Sequence, residues 1–200
     1  MATTQPRLGV LGGSFDPPHL AHLAIASEAF HELHLERVLF VPAAAPPHKD
    51  GGARTSAATR LELTSLAIDD DLRFTASSVE IERDLVYTTD TLRALGRRYA
   101  GHDLVFIMGS DSLLQLETWH EPDELLSLCT LAVAPRPGDP PAAVAAAAKR
   151  WGAGRVVQLD VPALDLSSSE IRGRVARRRP IRYLVPHRVE EYIVASGLYR

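Results

Sequence analysis

The chain has 200 residues, 46% hydrophobic and 24% charged, with a formal net charge of −3. That length and apolar content suit one large domain with a sizeable core, and the near-balanced charge speaks against a protein built as a whole to bind nucleic acid or an anionic membrane. A single cysteine, Cys129 in the apolar run "LLSLCTLAVAP", leaves no internal disulfide and reads as an inert core thiol in a reducing cytosol; with no apolar run near the ~20 residues of a bilayer span and no signal core in "MATTQPR", a cytoplasmic protein is expected.

Short β-rich runs alternate with helical patterns. Residues 7–11 predict a strand, 18–33 a helix, and "RVLFV" (37–41) a buried strand. An 18-residue loop follows, "PAAAPPHKDGGARTSAAT"; a loop that long in a compact domain is usually functional or mobile. Residues 59–68 predict a helix, 73–81 an alternating strand, 89–99 a helix, and "DLVFIMG" (103–109) a strand apolar on both faces. Residues 113–128 hold one or two helices with a break at Pro122; then come a strand at 131–134, a helix at 142–151 and a strand at 155–159. Helices over 168–178 and 186–196 close the chain. Repeated β–α alternation with non-alternating apolar strands predicts an α/β, doubly wound (Rossmann-like), mostly parallel sheet with helices on both faces. Ligands of such sheets sit beyond the carboxyl ends of the strands, where the unusual residues cluster: Gly12-Gly13-Ser14-Phe15-Asp16, His48-Lys49 and Gly109-Ser110-Asp111.

Glycines after the first strand let backbone N–H groups approach a phosphate, with the following helix adding its positive end. The stretch "GGSFDPPHLAH" is neither a P-loop nor a dinucleotide fingerprint. It places His19 and His22 three apart in the first helical turn, where two imidazoles could neutralise a transferring phosphate. Zinc ligation or incidental surface histidines are the competing readings. "HELH" (31–34) has the same spacing without a glycine turn and reads as a solvated helix end, so the upstream "GGSFDPP" carries the signal. "LSSSEIRGRV" (166–175) starts a helix with serines and sets Arg172 one turn inside. Ser167 or Ser168 can cap the helix and hold phosphate oxygens, with Arg172 as a fork donor; an ordinary cap with a surface arginine explains the stretch in isolation. The other arginines of 172–188, a run with seven arginines and no acidic residue, read as a solvated face.

The first stretch resembles the Gly-x-Phe-Asp-Pro-x-His-x-x-His signature of the nucleotidyltransferase superfamily related to class I aminoacyl-tRNA synthetases, with Ala21 where glycine is common. The second resembles its Ile-Ser-Ser-Thr-x-Ile-Arg signature. "PPHK" (46–49), "YTTDTL" (87–92), "FIMGSD" (106–111), Trp119, "PRPG" (135–138) and "YLVPHRVEEYIVASGLY" (183–199) are similar to the bacterial nicotinate-mononucleotide adenylyltransferases, nearly end to end. The resemblance implies one nucleotidyltransferase domain over 1–200, with a helical part from about 166 packed on it. It implies adenylyl transfer from ATP to nicotinate mononucleotide, giving deamido-NAD and pyrophosphate. Small molecules are then the partners, with no nucleic acid or membrane, and a homo-oligomer is compatible.

His19, His22 and Arg172 are the expected catalytic residues. ATP would meet Gly12, Gly13, Ser14, Phe15, His19, His22, Gly109, Asp111, Ser167, Ser168, Ile171 and Arg172. The mononucleotide would meet Ser14, His48, Lys49, Thr88, Asp111, Trp119 and Arg136. Mg²⁺ is expected on the substrate phosphates, with no protein cage. Read singly, Trp119 is a stacking face or a half-buried core indole, and Thr88 an anion contact or a plain cap. Asp111 is a hydroxyl acceptor or a helix cap. The same chemistry on nicotinamide mononucleotide, or on both mononucleotides, is the nearest alternative. A pantetheine-phosphate adenylyltransferase, a cytidylyltransferase and a nucleotide-binding module without turnover are more distant ones.

Overall fold

The computed structural model describes residues 5–45, 54–152, 154–162 and 164–200. Its strands are β1 (Arg7–Gly13), β2 (Arg37–Pro42), β3 (Phe74–Ala76), β4 (Asp103–Gly109), β5 (Thr130–Ala134) and β6 (Val156–Gln158). They form one sheet in the order β3-β2-β1-β4-β5-β6, every pairing parallel. The chain winds outward from β1 to β3, then returns to the other side of β1 with β4. The order therefore reverses between β1 and β4, the point at which sheets of this kind bind ligands outside the strands' carboxyl ends.

The helices are α1 (Leu20–Glu32), α2 (Ala57–Ile68), α3 (Val79–Arg83), α4 (Thr88–Arg98), α5 (Ser110–Leu114), α6 (Pro122–Leu128), α7 (Pro141–Arg150), α8 (Ser168–Ala176) and α9 (His187–Ser196), with a 3₁₀ turn at Leu116–Thr118. Successive strand residues point to opposite faces, and each face has its own core. Leu11, Val105 and Ile107 pack with Ala26 and Ala29 of α1, Leu63 of α2, Ile171 of α8 and Val189 and Ile193 of α9. Leu8, Val10, Phe106 and Met108 pack with Leu92 and Leu95 of α4, Leu113 of α5, Leu125 of α6 and Val144 of α7. Such double-sided burial explains why the strands read as unbroken apolar runs. Cys129 lies in the second core, and burial pushes its thiol up to about 12, as an inert thiol requires. Among the described residues no helix is long and apolar enough to cross a membrane.

One predicted element is corrected. Residues 73–81 alternate like a strand, yet β3 ends at Ala76 and the chain turns into α3. Phe40 of β2 pairs with Ala76, and the Ser77 N–H still reaches the Phe40 carbonyl at 2.8 Å. Two residues further along β2 stands Pro42, which has no N–H to extend a ladder. Glu80 and Glu82 in the first turn favour the helix end instead. Pro122, the expected break, is the first residue of α6, where its missing N–H costs nothing.

Candidate active site

Gly12 to Phe15 carry the chain out of the carboxyl end of β1. Phe15 is fully buried with φ 48°, a left-handed conformation unusual for a bulky side chain. It is held there by an edge-on contact to the His22 ring, centroids 5.0 Å apart, and by Phe40 at 5.7 Å. A Cβ on Gly13 would come 3.1 Å from the Phe15 ring, so a larger residue at 13 would push on that ring. Asp16 follows with a buried carboxylate that accepts the Arg54 N–H at 2.6 Å, the Thr55 hydroxyl at 2.8 Å and the Tyr199 hydroxyl at 2.7 Å. Burial, and then the adjacent Asp16 carboxylate, hold the Tyr199 phenol well above its ordinary range. The sequence marks Asp16 as one of the unusual residues after the first strand but assigns no site role to it or to Tyr199; nothing about a tyrosine at 199 marks it as a partner of residue 16.

His19 and His22 stand together, rings stacked with centroids 3.7 Å apart. Two details differ from expectation. His19 is the N-cap, in extended conformation, rather than a residue of the first turn. The helix N-terminus is also partly occupied: the His19 N–H donates to His22 Nδ1 at 3.1 Å, and the Leu20 N–H to the Leu184 carbonyl at 3.0 Å. A phosphate here would rely on the β1 loop and the imidazoles more than on the first amides of α1. Ala21 is buried in that first turn. His31 and His34, the comparison pair, are exposed, as a solvated helix end should be.

Helix α8 meets this loop from a distant part of the chain. Ser167 is its N-cap, accepting the Glu170 N–H at 3.1 Å. Ser168, expected to offer its hydroxyl to a phosphate, instead donates it to the Pro17 carbonyl at 2.8 Å. Arg172 donates from Nη1 to the Asp16 carbonyl at 2.7 Å and from Nη2 to Ser169 Oγ at 3.0 Å; among the described residues these two bonds use two of the five guanidinium N–H groups. Ile171, expected at ATP, has its side chain in the core and its N–H on the Ser167 carbonyl at 3.1 Å, so neither group is presented to a ligand.

At the end of β4, Asp111 and Arg136 pair at 3.2 Å across Gly109, both side chains about half exposed. A Cβ on Gly109 would collide with both. Buried Ser110, not foreseen as a site residue, holds the Arg136 turn by accepting the Arg136 N–H at 2.8 Å and donating to Asp139 at 2.5 Å. Thr88 is the first residue of α4, with Tyr87 as the N-cap. Trp119 is half-buried, edge-on to Phe106 at 6.2 Å, which agrees with the core-indole reading without removing its exposed part. The segments of Thr88 and Trp119 are joined side by side. Tyr87 stacks on His120 at 4.0 Å, and Arg93 of α4 pairs with Glu121 and Glu124 at the start of α6. His48 and Lys49 lie outside the described residues. Among the described residues no group of three or more His, Cys, Asp or Glu side chains is placed to hold a metal ion.

Beneath the β1 loop lies a pair that sequence reading also missed. Arg60 of α2 is 1% exposed and donates to the carbonyls of Ser14, Ala43 and Ala44. It falls on the same helical stripe as buried Leu63, Thr64 and Ala67; an arginine on an apolar stripe was the available signal. Close by, Glu80 accepts the Thr91 hydroxyl at 2.8 Å. Burial pushes Glu80 up to about 7, against the Thr91 hydroxyl, the Ala44 N–H and the charge of Arg60. A carboxyl raised in the folded state favours folding when protonated. That contribution is full below the ordinary 4.5 and lost as pH rises through about 7. Glu80→Gln should therefore flatten the melting temperature against pH over this window, removing a component of at most ~3 kcal/mol. Thermal unfolding from pH 5 to 8 checks it; parallel curves for the two proteins would contradict the assignment.

A reversing parallel sheet with a glycine loop and two stacked imidazoles after β1 is a nucleotidyltransferase fold; residues 10–174 match the cytidylyltransferase-like family. Within it, the chain belongs to the nicotinate-nucleotide adenylyltransferases. A relative from Thermomicrobium roseum named "Probable nicotinate-nucleotide adenylyltransferase" is 46% identical, the match covering 97% of this chain and 92% of that one. One of the same name from Thermus thermophilus is 45% identical over 97% of this chain and 100% of its own. A solved structure of Plasmodium falciparum nicotinic acid mononucleotide adenylyltransferase, complexed with NaAD, shares the fold with a TM-score of 0.80, 18% identity and 97% coverage of both chains.

Proposed function

We propose that this protein transfers the adenylyl group of ATP to nicotinate mononucleotide, forming deamido-NAD and pyrophosphate. Family membership supports the reaction. The observation that carries the site is the Arg172–Asp16 contact at 2.7 Å, which brings the α8 signature onto the glycine–histidine loop from 156 positions away. A phosphate oxygen of the mononucleotide attacks the α-phosphorus of ATP, and the bond to the bridging oxygen of the β-phosphate breaks as pyrophosphate leaves. The nucleophile is already anionic at neutral pH, so no general base is needed. Catalysis is then alignment of two polyanions and stabilisation of charge on the α-phosphate and the leaving group.

His19, His22, the Arg172 guanidinium and the Gly12–Phe15 backbone supply that stabilisation. Ser14 faces both substrates, and Gly109 and Asp111 meet the nucleotide at the end of β4. Mg²⁺ brought in with ATP would be held mainly by the substrate rather than by side chains, and would supply screening of the polyphosphate charge. This fits the donor set, because the Asp16 carboxylate already accepts three hydrogen bonds and Asp111 is paired with Arg136. Thr88, the exposed part of Trp119, Asp111 and Arg136 receive the pyridine nucleotide, together with His48 and Lys49.

Pyrophosphate release from purified protein tests the reading, with ATP or CTP as donor and nicotinate mononucleotide or phosphopantetheine as acceptor. Release only with ATP and the pyridine mononucleotide is expected; release with CTP or phosphopantetheine would replace the assignment. Trp119→Ala should raise KM for the mononucleotide about tenfold while KM for ATP changes little, the order expected for a lost stacking face. Equal rises for both substrates, with a large fall in melting temperature, would assign the indole to packing alone.

A further inference from the structure

Where β1 and β2 end, their loops still run side by side. The Ala43 N–H donates to the Gly13 carbonyl at 2.9 Å, continuing the register that pairs Gly13 with Pro42. One residue further, the carbonyls of Ser14, Ala43 and Ala44 turn toward the same point. Acceptors that converge need a donor between them. Arg60 provides it: Nη1 reaches the Ser14 carbonyl at 2.9 Å, and Nη2 reaches those of Ala43 and Ala44 at 2.6 and 3.2 Å. Ser14 belongs to the loop assigned to ATP. Ala43 and Ala44 begin the segment that leads to His48 and Lys49, assigned to the mononucleotide.

Stability alone is a poor reason for this arginine. A guanidinium 1% exposed is costly to desolvate, and well-packed apolar replacements of buried ions are often neutral or stabilising. Here Nε has no hydrogen-bond partner among the described residues, and the nearby charges, Asp16 and Glu80, offset burial only in part. What an apolar side chain could not do is hold three carbonyls of two loops at fixed separation.

We propose that Arg60 is a positioning residue for adenylyl transfer, a clamp that sets the ATP loop and the mononucleotide loop in register without touching either substrate. The proposal rests on the reaction assigned above. Misalignment of reacting groups by about an ångström costs on the order of 100-fold in rate, so the penalty should fall on kcat more than on KM.

The experiment compares wild type with Arg60→Met, Arg60→Lys and Leu63→Ala. The last removes fully buried packing from the same helix while leaving the three Arg60 hydrogen bonds in place. Kinetics are read at a temperature where each protein is folded, alongside melting temperature and amide hydrogen exchange. Arg60→Met should lower kcat at least ~100-fold with each KM changed under tenfold, and should speed exchange of the Ala43 amide, with α2 unaffected. Arg60→Lys, which keeps a charged donor, should recover part of both, and it carries the test if Arg60→Met does not fold. Leu63→Ala should lose melting temperature yet keep kcat. The clamp is overturned if Arg60→Met turns over within threefold of wild type. It is also overturned if Leu63→Ala reproduces its kcat loss, or if exchange at Ala43 stays at the wild-type rate. A wild type that forms no dinucleotide would sink the reaction assignment instead, and the exchange measurement would still decide whether Arg60 ties the loops.

Discussion

Replacing His19 with asparagine is expected to lower kcat by about 10³-fold, the upper range for deleting one preorganised donor to a developing anion. Asparagine is chosen over alanine because His19 is the N-cap of α1 and only 4% exposed. A side chain able to cap the helix keeps most of the local structure while the imidazole is lost. The stacked partner His22 remains but loses the ring that orients it. The cost in stability should stay near 1 kcal/mol, or roughly 2–4 °C in a chain of this size. Steady-state turnover and thermal unfolding of one preparation separate the two effects. Retained activity, or a melting temperature lower by tens of degrees, would remove His19 from the chemistry.

Asp16→Asn should have the largest effect on stability. The carboxylate accepts from Arg54, Thr55 and Tyr199 while almost wholly buried. An amide turns one acceptor oxygen into a donor facing another donor, and removes a charge that helps to balance Arg60. A loss of about 3 kcal/mol, or some 6–12 °C, is expected, with turnover falling as the Phe15–Pro17 backbone relaxes. Tyr199→Phe, which deletes one of the three donors, should cost only about 1 kcal/mol. Equal losses for the two variants would mean that the tyrosine hydroxyl alone holds the loop.

The parts of this molecule legible in the sequence share one property: their signal is local. Strands buried on both faces announce themselves as apolar runs, and "DLVFIMG" is bounded as expected. The glycine–histidine junction and the serine–arginine helix start are short, dense stretches, recognisable through the family signatures that they resemble. What stayed hidden depends on residues far apart in the chain. Asp16 finds Tyr199, Arg60 finds Ser14, and the Ser168 hydroxyl finds the Pro17 carbonyl. The alternation over 73–81 misled because Val79 and Ile81 occur in a helix of five residues, too short to reveal a helical period.

Competition between substrates tests the central claim most directly. Equimolar nicotinate and nicotinamide mononucleotides are offered with limiting ATP, and deamido-NAD and NAD are separated and quantified. The acid should be preferred by a kcat/KM ratio of at least ~100, roughly 2.7 kcal/mol, the order of one or two charge-assisted hydrogen bonds to a carboxylate. The proposed contact of the carboxylate with the positive end of α4 at Thr88 predicts that preference, because an amide would set its NH₂ against the same donors. Deamido-NAD as the dominant product is the predicted result, and equal yields or an excess of NAD would contradict it.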